Sequence, residues 1–302
     1  MISISNKSQQ GLTLTELMVA MVISLVVLAG VLQIFTSNKQ AYRSIETLSR
    51  LQENSRFAMF FLSRDIRNSD YWGCTPVRES VIGTTYADGI LGDNDQSVTG
   101  LVNSDAITLT GSSSNGTSVN STSGNVVTVD STADFAVGDS VVVGNCESAQ
   151  IVKVTAKTAS TLTMDANLIR EYSTDATVHT VVARRYFLGA GSNGPSLFVE
   201  FDLNGDGDFN DTGEAGQELI EGIEDLQILY GEDTNNSLTP NRYVAAGTTG
   251  LNMRNVVSVK VALTARTLDD NISITSRTYN GVADKRLTKN FSATIAVRNR
   301  LL

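Results

Sequence analysis

Asp202, Asn204, Asp206 and Gly207 stand at the spacing D-x-[DN]-x-[DN]-G with which calcium loops open. Oxygen ligands at alternate positions can converge on one hard cation because the glycine lets the chain turn sharply. Asp208 and Asn210 continue the alternation, so these five polar residues form one candidate calcium site. The closing glutamate belongs at the twelfth position, where the chain has Gly213, and Glu214 comes one residue late. The same residues also suit an acidic Asn-Gly and Asp-Gly turn between two strands. Both readings stand at this level, and nothing else in the chain requires a cofactor. Catalytic chemistry finds less support. The single histidine, His179, lies in VHTVVARR, which reads as a strand. No HExxH, GxSxG or glycine-rich phosphate loop occurs, so no enzyme is expected.

A further carboxylate stands where one is expensive. Leu12 to Phe35 is almost wholly apolar, yet Glu16 sits near its front. As a helix this run would span about 36 Å, more than the ~30 Å hydrocarbon layer. A plain signal anchor accounts for the length but not for the glutamate, since intramembrane carboxylates are costly and usually functional. The preceding MISISNKSQQG lacks the apolar core and small-residue cleavage site of an ordinary secretory signal. If the chain is cut after Gly11, Leu12 becomes a new amino terminus and Glu16 its fifth residue. In a bundle of such helices, the glutamate of one subunit could neutralise the terminal amine of its neighbour. Charge counting does not fix orientation, because Lys7 precedes the run while Lys39 and Arg43 follow it.

Gly11 followed by LTLTELMVAMVISLVVL resembles the class III leader of type IV pilins and type II secretion pseudopilins. That resemblance implies cleavage between Gly11 and Leu12 by prepilin peptidase, N-methylation of Leu12, and a head outside the cytoplasm. Leu12 departs from the Phe usual in major pilins. The stretch RFAMFFLSRDIRNSDYWGC, the segments GDSVVVGNCESAQIVKV and LIEGIEDLQILYG, and the closing FSATIAVRNRLL resemble PilW-type minor pilins. The implied fold class is α+β, with a long N-terminal helix packed on an antiparallel β-rich head. The expected organisation is a cleaved leader over 1–11, a transmembrane and assembly helix over 12–35, an amphipathic helix over 36–72, and the head over 73–302.

The elements follow from periodicity. Ala41, Ile45, Leu48, Leu51, Ser55, Ala58, Leu62 and Ile66 recur at helical spacing, and no proline interrupts residues 1–75. One helix is therefore expected from about Leu14 to Asn68, with the aromatic stripe Phe57, Phe60 and Phe61 in the core and Gly73 ending it in the left-handed conformation. Arg64 and Asp65 can pair or hold the helix end. Strands are expected at Ala106–Thr110, Asn125–Val129, Ser140–Gly144, Ile151–Val154, Thr161–Met164, Val178–Leu188, Ser196–Phe201, Leu226–Tyr230, Val256–Thr264 and Phe291–Val297. Gly111 to Asn125 is low in complexity and reads as a loop. Gly138 to Val154 reads as a hairpin with Asn145 and Cys146 near its turn. Cys74 and Cys146 are one disulfide if the protein is exported and two inert thiols if it is not. With the resemblance, a bridge would staple the first strands to the helix.

The net charge of −9 disfavours nonspecific nucleic-acid binding. No Lys or Arg occurs between Tyr186 and Asn241, which suits a structural strand with an exposed acidic edge, a cation site or a docking face. The resemblance implies a minor pilin that primes and caps a type IV pilus. Its partners would be the inner membrane, other minor pilins, the major pilin and a large tip adhesin, in the service of adhesion, twitching motility or DNA uptake. The alternatives are a J-type minor pseudopilin capping a type II secretion pseudopilus and, remotely, a membrane-anchored enzyme.

Overall fold

The computed structural model describes residues 13–75, 81–83, 88–97 and 101–301. Gly11 and Leu12, the expected processing site, lie outside the described residues. The chain divides into two units, one ending at Ser49 and one beginning at Arg50. Helix α1 (Leu14–Asn68) starts in the first unit, and its bounds are those the periodicity predicts. In that unit the helix is long and apolar enough to cross a membrane, and none of its most apolar window is buried. Ile45 and Leu48, expected to pack, are exposed.

The second unit opens on the last turns of α1. Leu51, Ser55, Ala58, Leu62 and Ile66 form one buried stripe at helical spacing. Phe57 and Phe60, expected in the core, are exposed instead. They lie off that stripe, and the Arg56 guanidinium covers the Phe57 ring at 5.5 Å. The helix ends at Asn68, before Gly73. The Ser69 hydroxyl and N–H both donate to the Ile66 carbonyl, and Asp70 is the first residue at positive φ (60°). Gly73 (φ 79°) turns the chain later and does not end the helix.

The strands follow as β1 (Val81–Ile82), β2 (Ile90–Gln96), β3 (Ser104–Ser123), β4 (Val126–Val129), β5 (Ser140–Gly144), β6 (Ala149–Lys157), β7 (Thr161–Met164) and β8 (Thr177–Gly191). After them come β9 (Gly194–Asp202), β10 (Gln217–Glu221), β11 (Ile223–Glu232), β12 (Arg242–Val244), β13 (Val256–Arg266), β14 (Arg277–Tyr279), β15 (Val282–Asp284) and β16 (Thr288–Ala296). Every strand expected from sequence falls on an observed one. The short β1, β2, β10, β12, β14 and β15 carry no β-branched run long enough to announce them.

Two sheets share a core with the buried stripe of α1. One is the antiparallel sheet β12-β11-β13-β16. The other is built from β2, the first half of β3, the second half of β8, and β9. Their apolar faces and the helix share one core that includes Leu62, Ile66, Ile107, Leu188, Leu226 and Val261. Polar side chains join the sheets directly. Ser104 Oγ accepts from Leu226 N and donates to Leu226 O, and Asp105 accepts from Ile228 N at 2.6 Å.

Beyond a bulge between Ser112 and Gly116, the pairing closes on itself. The far half of β3 pairs with β4, β4 with β7, β7 with β6, β6 with β5, β5 with β8, and β8 again with β3. All six pairings are antiparallel, so these strands form a closed barrel without an edge of its own. Its interior is separate from the helix core and is filled by small β-branched and aliphatic side chains such as Val119, Val143, Val154, Leu162 and Val178. Gly111 to Asn125, expected as a loop, is thus largely the long strand β3. Its main chain bonds to neighbours on both sides, which serine and glycine permit, and Val119 alone marks the inward face.

Candidate functional site

Glu16 stands in the first turn of α1. Thr13 N donates to its carboxylate at 2.9 Å and Thr13 Oγ1 at 2.8 Å, while Glu16 N faces Thr13 Oγ1 at 3.4 Å. This is a reciprocal capping box, which satisfies main-chain donors that a helix leaves free. Its signal, T-x-x-E, is present in the sequence at Thr13–Glu16. The membrane cost of the glutamate points to a partner in another subunit and hides this local one. The capping box gives the carboxylate a partner within its own chain as well.

The other end of α1 is clamped to the end of the chain. Arg300, in the short turn Arg298–Arg300, is buried and donates from Nε to Asp70 at 2.5 Å. Its other nitrogens donate to the carbonyls of Asp88, Met253 and Val256. Asp70 also accepts from the Trp72 indole at 2.6 Å, and Asn299 donates to the carbonyls of Asn68 and Ser69. One buried guanidinium therefore ties the helix exit, the start of β2 and the approach to β13 together. Asn299 and Arg300, in the closing stretch that resembles PilW-type chains, are the clamp.

One turn earlier, Asp65 is buried beneath Arg64 and Arg184. Arg64 Nε donates to it at 2.6 Å, Arg184 Nη1 at 3.1 Å and the Tyr186 hydroxyl at 2.6 Å. Burial raises the Asp65 carboxyl, but the hydrogen bonds from Arg64 and Tyr186 and the arginine charges outweigh it and hold it below the usual range. Burial and the bond to Asp65 push the Tyr186 phenol up.

The disulfide joins Cys74 to Cys146, 72 residues apart. Thr75 Oγ1 donates to the Asn145 carbonyl beside it, and β1 pairs with β6, so the segment after α1 is fastened to the barrel. Asn145 shapes the β5–β6 turn, its Oδ1 accepting from Glu147 N and Ser148 N.

The acidic loop closes on its own main chain. Asp202 is fully buried and accepts from Gly205 N and Gly207 N. Asn204 accepts from Asp206 N, Asp206 from Asp208 N, and Asp208 from Asn210 N. Glu214, also buried, accepts from Leu203 N at 2.8 Å and Asp211 N at 3.2 Å. Gly205 and Gly207 have positive φ, which the tight succession of turns requires. Among the described residues, no group of three or more His, Cys, Asp and Glu is placed to hold a metal ion. Of the five residues read as calcium ligands, Asp202, Asn204, Asp206 and Asp208 are used here as successive turn acceptors, and Asn210 N donates to the last of them.

The acidity between Tyr186 and Asn241 is largely engaged within the head. Arg277 binds Glu224, Arg242 binds Glu232, and Asp233 accepts from three main-chain N–H groups. Glu218 holds the β8–β9 turn through Ser192 and Ser196. His179 contacts the Ser113 carbonyl and the Thr177 hydroxyl on the barrel strand β8.

Comparison with known proteins fits this geometry. The family model described as Type IV Pilus-assembly protein W matches residues 185–299, from β8 to the clamp at the end of the chain. The model described as Prokaryotic N-terminal methylation motif matches residues 6–32, which include Glu16 and its capping box. No curated protein matches the chain. The leader motif and the pilus-assembly match imply processing by prepilin peptidase and interaction with pilus components. These two matches, at either end of one α+β chain, support a type IV pilin of PilW type with a class III leader.

Proposed function

We propose that this chain is a minor pilin that helps to start type IV pilus assembly and sits at or near the pilus tip. Its helix first anchors it in the inner membrane, with the head in the periplasm, and then packs among the helices of other subunits in the extracellular fibre. Its neighbours there are other minor pilins, the major pilin and a large tip adhesin. Through them it serves adhesion, twitching motility or DNA uptake. It acts by packing and performs no catalysis.

The front of α1 carries this reading. Its side chains from Leu14 to Phe35 are exposed, and the only charged residue among them is Glu16. A helix so apolar on every face needs a cover that its own unit does not provide. Lipid supplies that cover before assembly and neighbouring helices supply it afterwards. Glu16 is tolerable in lipid because Thr13 donates to it twice. In the fibre it can exchange that local partner for the amine that cleavage creates on Leu12 of a neighbour.

The test is Glu16→Ala, expressed in place of the unmutated chain. Leader cleavage and membrane insertion should persist, while surface piliation should fall sharply. Normal piliation by the variant would remove this role for Glu16.

A further inference from the structure

In a chain of net charge −9, one cleft is lined by three arginines. It has a volume of about 830 Å³ and lies where the end of α1 meets β3, β8 and the closing turn. Arg64, Arg184 and Arg298 face it, with Asp65 as the one carboxylate in its wall. Both oxygens of Asp65 are already taken by Arg64, Arg184 and Tyr186. The carboxylate therefore acts as a post that fixes two guanidinium groups. Their side chains remain 45% and 46% exposed, with N–H groups left over for a ligand. Arg64 also lies against the Phe61 ring and Arg184 against the Phe201 ring, which restrains both further. Arg298 is exposed, and no hydrogen bond or ion pair of its guanidinium is seen among the described residues.

The rest of the wall is hydroxyl and amide. Ser112, Ser113 and Ser114 approach from the bulge in β3, Asn68 and Asn299 from the two chain ends, and the half-exposed Tyr71 ring stands at the rim. Restrained arginines suit a carboxylate, which they can grip with two parallel hydrogen bonds. Hydroxyl and amide groups suit sugar hydroxyls, and an aromatic face suits the apolar side of a pyranose ring. A recessed volume of this size fits a small ligand better than a flat protein contact.

We propose that this cleft binds a carboxylated sugar, its acid group held by Arg298 with Arg64 and Arg184 and its hydroxyls by the β3 serines and the two asparagines. The site includes no residue of the apolar front of α1 (Leu14–Phe35), so its loss should leave pilus formation intact.

The test is calorimetric titration of the full chain in detergent with trigalacturonate, with neutral galactotriose and hexaglutamate as comparisons. Trigalacturonate should bind, more weakly as salt rises, and galactotriose should not bind measurably. Arg298→Ala should weaken binding about tenfold or more without moving the melting temperature, because that side chain holds nothing else in place. Ser113→Ala should weaken it less. No binding of trigalacturonate, equal binding of galactotriose, or an unchanged affinity in Arg298→Ala would overturn the proposal. Displacement of the sugar by a lower concentration of hexaglutamate would overturn it in favour of an acidic protein segment.

Discussion

The helix core and the barrel are neighbours in one head, yet they are closed by different chemistry. Around the helix core, buried charges finish what the sheets leave open. Arg300 meets Asp70, Arg277 meets Glu224 and Asp284, and Asp65 collects two arginines and a tyrosine. The barrel interior is apolar, and its strands meet one another all the way round. The contrast has a physical cause. An open sheet and a helix end leave main-chain groups that need partners, whereas a closed ring of strands supplies its own. The PilW match begins in β8 and covers the strands of the four-stranded sheet, while the closed part of the barrel up to Val181 lies between the two matched stretches.

The largest expected effect is on the helix-core side. Arg300→Ala leaves Asp70 buried without its cation, and removal of one partner from a buried pair costs roughly 3–5 kcal/mol. Thermal melting should show that loss for the whole head. If the melting temperature is unchanged, the clamp is not what holds the helix exit. Leu162→Ala acts on the other region, where truncating a fully buried leucine costs about 2–5 kcal/mol. Hydrogen exchange in that variant should rise across β4 to β7 while the α1 stripe stays protected. Uniform acceleration over both regions would show that they open as one unit.

Acid should separate the two more gently. The Asp65 carboxyl lies below its ordinary range in the folded head, so its contribution is present above the unfolded value and is lost as pH falls through the folded one. Asp139, beside the barrel, is raised chiefly by burial, so its protonated form is favoured and its contribution grows as pH falls. Asp105 in the helix core is also raised by burial and partly offsets Asp65. Comparison with Asp65→Asn isolates the effect, and the variant should lose less stability between neutral and acid pH. An identical acid profile would assign the sensitivity elsewhere. The smallest effect belongs to the acidic loop. Its carboxylates already bind main-chain N–H groups, so calcium should move the melting temperature little. A clear rise that Asp206→Ala abolishes would restore the cation site suggested by the spacing.

Periodicity and β-branched runs made α1 and ten strands legible, because their signals are local. Closure of the barrel was not legible, since it depends on β3 meeting β8 across some sixty residues, as in the pairing of Gly116 with His179. The serine-rich β3 hid for the same reason, its partners being main chain. Phe57 and Phe60 sit on a wide apolar face that helix periodicity allows into the core, yet both are exposed and Arg56 covers the Phe57 ring. The spacing of Asp202 and its neighbours suits a calcium loop and a turn alike, and Glu214 folding back beneath the loop is invisible without the third dimension. The Arg64–Asp65 pair was anticipated, whereas the addition of Arg184 and Tyr186 required the sheet.

The account rests on the chain being processed at Gly11 and carried into a fibre on its N-terminal helix. The direct measurement is mass analysis of the mature N-terminus in pili sheared from cells. The predicted product begins at N-methylated Leu12 and is present in the sheared fraction. A chain that keeps residues 1–11 and remains in the membrane fraction would contradict it.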